Sequence, residues 1–303
     1  MSDNRTTISS ALLWGASQLR ESSPTARLDA ELLLAHALGW SRAWLLAEGR
    51  ALLESVQIER FRELIGRRAD LEAVAYLIGQ REFYGLEFVV NRSVLIPRPE
   101  TELLVELALM RARQLPNGCT IGDICTGSGC IAVALAYHLP AAWIIATDLS
   151  LEALAVAAIN ITRYDLAERI SLRQGDLLAA LDEPVDLLVS NPPYTILSTI
   201  EEGVRRYEPW LALDGGPDGL GVYRRLLTQA PAYLRPHGAL LLEIGHDQGL
   251  AVSELARAEF PVAQIAVHKD LAGLDRVVTV DLPRATEYSV KEVLGYSALG
   301  SVF

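Results

Sequence analysis

The chain has little cysteine: its 303 residues include three, Cys119, Cys125 and Cys130, with no Cys-x-x-Cys pair and no nearby His-x-x-x-His. A disulfide framework and a zinc site are therefore not supported, no metal is expected, and a reducing compartment, the cytoplasm, fits. Positive charge is also short. Against 27 Lys and Arg stand 38 Asp and Glu, for a formal net charge of -11. Such a surface repels phosphate backbones and disfavours a protein that grips long stretches of nucleic acid. One basic strip remains, Arg60, Arg62, Arg67 and Arg68, and it reads first as a solvated helix face. Met1 to Thr7 is polar and lacks the apolar core of an export signal. Internal repeats and low-complexity tracts are missing too. A single apolar run, Cys130 to Thr147, approaches the length of a membrane span, but His138 and Pro140 interrupt it. A helix, a proline turn and a buried strand are expected there, and no membrane partner.

Half of the residues are hydrophobic, enough for a sizeable core, and the length exceeds one typical domain of about 100 to 150 residues. From Ile8 to about Gly79 the pattern is helical. Ser23-Pro24 is expected to open one helix, with Leu28, Leu32, Leu33 and Leu34 through Leu38 as its apolar stripe and Gly39 at its end. Trp40 to Gly49 and Ser55 to Ala69 read as further helices. Glu82 to Val90 changes period toward two, with Gly85 at a turn, and suggests a hairpin. In Leu95 to Thr101 two prolines hold the chain extended, and Glu100 or Thr101 can cap a helix running to about Gln114.

After Pro116-Asn117-Gly118, apolar strands alternate with helices. Strands are expected at Thr120 to Ile124, Trp143 to Thr147, Ile170 to Arg173, Val185 to Ser190, Ala239 to Ile244, Val262 to Val267 and Arg276 to Asp281. Helices fall at Ile131 to His138, Leu151 to Tyr164, Val222 to Leu234 and Leu250 to Glu259. The fold class is thus α/β: a Rossmann-like, largely parallel sheet of seven strands whose last hairpin is antiparallel, with a small all-α amino-terminal domain. The expected divisions are residues 1–80 helical, 81–99 hairpin and linker, 100–282 catalytic, and 283–303 a tail of open role.

Strand Thr120 to Ile124 runs into Cys125-Thr126-Gly127-Ser128-Gly129 and then a helix, whose unpaired N–H groups and close backbone approach suit a nucleotide-like cofactor. The same residues satisfy G-x-G-x-x-A, so this loop alone does not separate NAD from S-adenosylmethionine. Asp148, about 20 residues on, can accept hydrogen bonds from both ribose hydroxyls, or merely cap the helix after Ser150. Asp176 and Leu177 could hold adenine, by its exocyclic amine and its face, or form an ordinary turn. The most telling element is Asn191-Pro192-Pro193-Tyr194, directly after a strand. Two prolines fix the bend and remove two N–H donors, leaving carbonyl oxygens and the Asn191 side chain as acceptors. An NH2 group held by the Asn191 oxygen and the Pro192 carbonyl has its lone pair free to be aimed at an electrophile, and Tyr194 offers a flat wall. With a sulfonium methyl in line, the reaction is a displacement driven mostly by positioning.

Together with Arg81-Glu82-Phe83-Tyr84-Gly85, Leu95-Ile96-Pro97-Arg98-Pro99-Glu100-Thr101-Glu102 and Lys269 to Arg276, these motifs resemble the release factor glutamine methyltransferases across about residues 8 to 282. That family modifies the glutamine of the Gly-Gly-Gln motif in peptide chain release factors. The resemblance implies S-adenosyl-L-methionine as cofactor, with S-adenosyl-L-homocysteine as product, bound by residues 125 to 129 and Asp148 with Leu177 beside the adenine. It implies that Asn191 to Tyr194 receive the glutamine amide. Phe83 and Ile96 to Thr101 would help close the pocket, and the helical domain would help to dock the protein substrate. Cys125 departs from the family's usual glycine, and Asp-x-Cys-Thr-Gly-Ser-Gly is similar to a sister family acting on a large-subunit ribosomal protein. A DNA adenine methyltransferase would share the Asn-Pro-Pro-Tyr chemistry, but the acidity and the lack of a basic base-reading segment oppose it. An NAD-dependent oxidoreductase rests on the glycine loop alone, and a binding protein without turnover is opposed by the intact Asn191 to Tyr194 segment.

Overall fold

A computed structural model of the chain describes residues 6–115 and 118–283. Part of the turn expected at Pro116-Asn117-Gly118 and the tail after Pro283 lie outside those residues. Five helices come first: α1 (Ile8–Gln18), α2 (Ala26–Leu38), α3 (Arg42–Ala47), α4 (Ser55–Ala69) and α5 (Val74–Ile78). Their starts and stops are local chemistry. The Thr7 hydroxyl accepts the Ser10 N–H at the head of α1, Ser41 does the same for Trp44 at α3, and α2 ends on Gly39 at φ 68°. Ile8, Leu12, Leu33, Leu34, Phe61 and Ile65 form a core of their own within this bundle.

Two expectations about α2 are corrected. Pro24 lies before the helix, not in its first turn, and Leu28 is exposed. Leu33 and Leu34 are buried as expected, and Asp29 is buried with them, its carboxylate accepting from Ser23, Thr25 and Arg68. The basic strip is accordingly less free than it reads: Arg68 is spent on Asp29, and Arg67 on the buried Glu72.

The hairpin pairs β1 (Gln80–Phe83) with β2 (Leu86–Val89) around Tyr84 and Gly85, both at positive φ. A strap through residues 90–98 then leads to a single 3₁₀ turn at Pro99–Thr101 and to α6 (Glu102–Ala112). The Thr101 side chain caps nothing, contrary to the expectation; it is used elsewhere.

The rest alternates: β3 (Thr120–Ile124), α7 (Cys130–His138), β4 (Trp143–Asp148), α8 (Leu151–Arg163), β5 (Ile170–Gln174), β6 (Val185–Ser190), α9 (Glu202–Tyr207), α10 (Gly221–Gln229), β7 (Leu234–Glu243), α11 (Gly249–Glu259), β8 (Gln264–Lys269) and β9 (Asp275–Asp281). The helix expected to reach Leu234 stops at Gln229, because Pro231 falls in the following turn and cannot continue the ladder. The seven strands lie in the order β5-β4-β3-β6-β7-β9-β8. The first five are parallel, and β9 runs antiparallel to both β7 and β8.

Alternate residues of each strand feed opposite cores. Ile121, Leu187, Val189 and Leu241 face α6 and α7, while Leu188, Leu240, Leu242 and Val278 face α10 and α11. Helix α7 is buried from Cys130 through Ala136, which explains the long apolar run without a membrane. Among the described residues no helix is long and apolar enough to cross one.

Candidate active site

From β3 the chain goes to β4 and β5 on one side and returns to β6 on the other, so the carboxyl ends of β3 and β6 border a crevice at the switch point. Ile124 pairs with Ser190, and the Ser190 hydroxyl donates to the Ile124 carbonyl at 2.6 Å. The glycine loop and the Asn-Pro-Pro-Tyr bend therefore leave the sheet side by side. Between them lies a cavity of about 430 Å³, within the size range of small-molecule sites.

The floor is the loop from Cys125 to Gly129. Cys125, Gly127 and Gly129 all have left-handed backbones, with φ of 62°, 56° and 77°. Asp123 anchors the loop from below: it is fully buried, and its Oδ2 accepts from the Thr126 hydroxyl at 2.6 Å and from the Ala132 N–H in the first turn of α7 at 3.1 Å. Burial raises this carboxyl to about 7 against those two donors. Cys125, Thr126, Gly127 and Ser128 line the cavity, but Gly129 does not. Gly129 instead lets α7 approach α8, where a Cβ would stand 3.1 Å from that of Ala157. The Cys125 thiol is pushed up by burial and by the Asp148 and Asp123 carboxylates, so it is a neutral wall.

Asp148, at the end of β4, lines the next side. Its two oxygens accept the Gly127 and Ser150 N–H groups, both at 2.9 Å, so it fixes the loop as well as facing the cavity. Burial raises its pKa, and these backbone donors oppose the rise. Asp176 and Leu177 close the far end; Leu177 is at φ 54°, and Asp176 is ion-paired with Arg225 from α10. Nothing in the sequence marked Arg225, because its partner lies far away along the chain.

The opposite wall is the bend at Asn191. Its Nδ2 donates to the buried Thr101 hydroxyl at 3.2 Å, which turns its Oδ1 away from Thr101. Among the described residues, neither Asn191 Oδ1 nor the Pro192 carbonyl accepts a hydrogen bond. Asn191, Pro193 and Thr101 line the cavity; Pro192 and Tyr194 do not. Tyr194 is not the flat wall that was expected. Its ring packs against the core under α10 and its hydroxyl donates to Glu243 Oε1 at 3.3 Å. The Tyr194 carbonyl accepts from Gln248 Nε2 at 3.1 Å. Thr195 and Gly215 hold the bend further, with N–H bonds to Leu213 and Thr195 carbonyls at 2.8 and 2.9 Å.

Phe83 is also displaced from its expected place: it is buried against Phe88 and Tyr84 in the core over α6, not at the cavity. The strap does border the cavity, through Val94, Leu95, Pro97 and Arg98. It is tied down by Glu208, which accepts from Arg98 at 2.5 Å and from the Ile96 N–H at 3.4 Å, and by the Tyr76 hydroxyl on the Val94 carbonyl at 2.6 Å. At the mouth, Trp210 and Leu211 remain more than half exposed. Sequence reasoning missed Glu243 and Gln248, although an acid closing the leucine-rich strand Leu240-Leu241-Leu242 was a visible signal.

The arrangement combines an acceptor-lined bend with a carboxylate-bearing, glycine-floored crevice. The chain is similar to known proteins over most of its length. Residues 10–79 match the family model described as "PrmC N-terminal domain", and residues 100–205 match "Methyltransferase small domain". The chain is 45% identical to a release factor glutamine methyltransferase from Cereibacter sphaeroides, over 86% of this chain and 92% of that one. It is 48% identical to one from Moorella thermoacetica, over 82% and 89%, and 42% identical to one from Geobacter sulfurreducens, over 90% and 95%.

Proposed function

Because the chain belongs to the release factor glutamine methyltransferases, we propose that it methylates the side-chain amide nitrogen, N5, of the glutamine in the Gly-Gly-Gln motif of peptide chain release factors. Its place of work is then the cytoplasm, where release factors act, with release factors as partners and no stable nucleic-acid complex. The observation that carries the reading to this molecule is the orientation of Asn191. With Nδ2 committed to Thr101, its Oδ1 and the Pro192 carbonyl are two free acceptors on one rigid bend.

These acceptors suit an uncharged NH2 group, which has two hydrogens to give. Held by both, the glutamine nitrogen keeps its lone pair directed into the crevice. S-adenosyl-L-methionine, when bound, supplies a methyl group activated by its sulfonium and leaves as S-adenosyl-L-homocysteine. The crevice fits that group on its own chemistry. Gly127 and Ser128 offer close backbone approach beside the head of α7, and Asp148 retains lone pairs for vicinal hydroxyls. Leu177 provides an apolar wall for adenine, and Asp176, once parted from Arg225, an acceptor for its amine. Cys125, Thr126, Gly129, Asn191 and Thr101 complete the assignment as floor, loop geometry and rim, while Phe83 supports the hairpin from the core. The methylated nitrogen sheds one proton to solvent, so no strong base is required of the protein.

The helical part is assigned to docking the release factor, supported by the exposed Trp44 and Leu46 on α3. The test is methylation of a purified release factor, read by mass spectrometry of the Gly-Gly-Gln peptide beside arms with whole ribosomes and with DNA. One added methyl on that peptide is expected. Label entering only ribosomal protein, or only DNA, would overturn the substrate. Replacing the target glutamine by glutamate removes both N–H donors, and the rate should fall by about 10⁴-fold or more.

A further inference from the structure

We propose that Trp210 and Leu211 form the landing face for the main chain around the target glutamine, and that this face selects neighbours without side chains. The inference deepens the proposed function and rests on Asn191 and Pro192 being the seat of the acceptor amide.

Reach sets the constraint. A glutamine side chain spans about 5 Å from Cα to its amide nitrogen, and a hydrogen bond adds about 3 Å. The substrate's main chain must therefore come within about 8 Å of Asn191 Oδ1 and the Pro192 carbonyl. It enters the mouth of the cavity, and the residues flanking the glutamine lie on the rim.

Two stretches of that rim are exposed, and they differ in character. One joins Leu149 and Asp176, past the ends of β4 and β5, to Arg225 of α10. It carries an ion pair and adjoins Leu177, so it belongs to the cofactor's adenine end. The other carries Trp210 and Leu211, both more than half exposed. This second stretch is bound to the acceptor bend: the Thr195 N–H donates to the Leu213 carbonyl at 2.8 Å, and Thr195 bridges Asp214.

Single exposed apolar residues need no explanation. Here two neighbours line a cavity on a turn that is braced from both sides. Upstream, the buried Glu208 holds Arg98 and the Ile96 N–H of the strap. Downstream, Leu213 is buried and tied to Thr195. Between them the Ala212 and Leu213 N–H groups donate to the Pro209 and Trp210 carbonyls at 3.0 and 2.9 Å. The indole Nε1 donates to the Arg205 carbonyl of α9 at 2.9 Å. That bond satisfies the polar end of Trp210 within the protein and leaves its apolar surface for a partner. An aromatic side chain already held in place loses little entropy when covered, the quality of a binding hot spot. Glycine peptide planes can lie against such a ring because no Cβ holds them off. A Cβ on the residue before the glutamine would lift the main chain and draw the amide away from its acceptors.

The test measures kcat, KM for one release factor, and S-adenosylhomocysteine affinity by calorimetry, with the full chain. Trp210→Ala should raise KM about 30-fold, the scale of a hot-spot aromatic. It should leave kcat within about threefold and cofactor affinity within about twofold. Trp210→Phe also loses the bond to Arg205 but keeps a flat ring, so KM should rise no more than about fivefold. Leu211→Ala should fall between the two. A release factor with alanine for the glycine before the target should cost the wild type at least about tenfold in kcat/KM. That cost should be smaller with Trp210→Ala, since the wall that the Cβ meets is gone. Should Trp210→Ala fail to fold, Trp210→Phe and Leu211→Ala decide. Unchanged KM in Trp210→Ala, a loss falling on kcat or cofactor affinity instead, equal losses in the phenylalanine and alanine variants, or an alanine penalty independent of Trp210 would overturn the proposal. A wild type that methylates no release factor would remove the functional reading itself.

Discussion

At the scale of single residues the site is decided by backbone angles and by which way one amide faces. Cys125 stands at φ 62°, in the left-handed region that glycine adopts freely. Holding a side chain there costs on the order of 1 kcal/mol or more. Cys125→Gly trades that strain against the greater freedom of glycine in the unfolded chain, so its stability should stay close to wild type. Cys125→Val adds a β-branch at the same angle and should fall below Cys125→Gly by about 1 to 3 kcal/mol. Urea denaturation measures the difference, and equal stability of the two would mean that the backbone is relaxed at this position. The sequence alone revealed that Asn191 was an acceptor candidate, since two prolines after it remove donors. It could not reveal the amide's orientation, because Thr101 reaches it from a distant segment.

Among elements, the loop from Leu213 to Gly221 holds the acceptor bend against the sheet. Gly215 lies close against it: a Cβ there would lie 2.6 Å from the Tyr194 carbonyl carbon and 2.7 Å from its Cα. That contact is backbone, so the bend must move to accept a side chain. Gly215→Ala should therefore cut kcat by at least about tenfold while cofactor affinity changes little, since positioning errors well under 1 Å are costly. Steady-state kinetics beside calorimetry checks this; a variant with wild-type kcat would show that the loop does not position the bend. Periodicity made most of these elements legible. The hairpin at Gly85, helix α7 ending at His138 and the antiparallel last strands were all readable because local sequence decides them. The end of α10 was legible too, at Pro231, though overlooked; the start of β7 was not, because the edge of the strand is set by pairing with β6 rather than by its own residues.

At the scale of the whole molecule, two acids among the described residues, Asp123 and Glu243, are fully buried, each raised to about 7 by burial. Their unfolded values lie near 3.8 and 4.5, so between about pH 4.5 and 7 the folded state binds more protons than the unfolded one. Stability should consequently fall as pH rises through that window and level off above it, because each raised acid must give up its proton in the folded state at a pH where the unfolded chain has already lost it. The buried ion-paired Glu31 and Glu72 are held below their usual range and lose their contribution only under more acidic conditions. His36, pushed down by burial, opposes the slope modestly. Asp123→Asn can keep both acceptor bonds of Asp123 and should flatten the decline in denaturation midpoint between pH 5 and 8; an unaltered slope would exclude Asp123 as its source. The sequence by itself determined the helical first part, the alternating α/β pattern and the chemistry of the two loops, because periodicity, prolines and glycines act over a few residues. Only the tertiary structure decided that Phe83 and Tyr194 serve the core rather than the cavity, that Arg225 stands at its rim, and that Glu243 stands behind the Asn191 bend. Those places depend on strand order and register, which bring residues from remote parts of the chain within hydrogen-bond distance and leave no local trace.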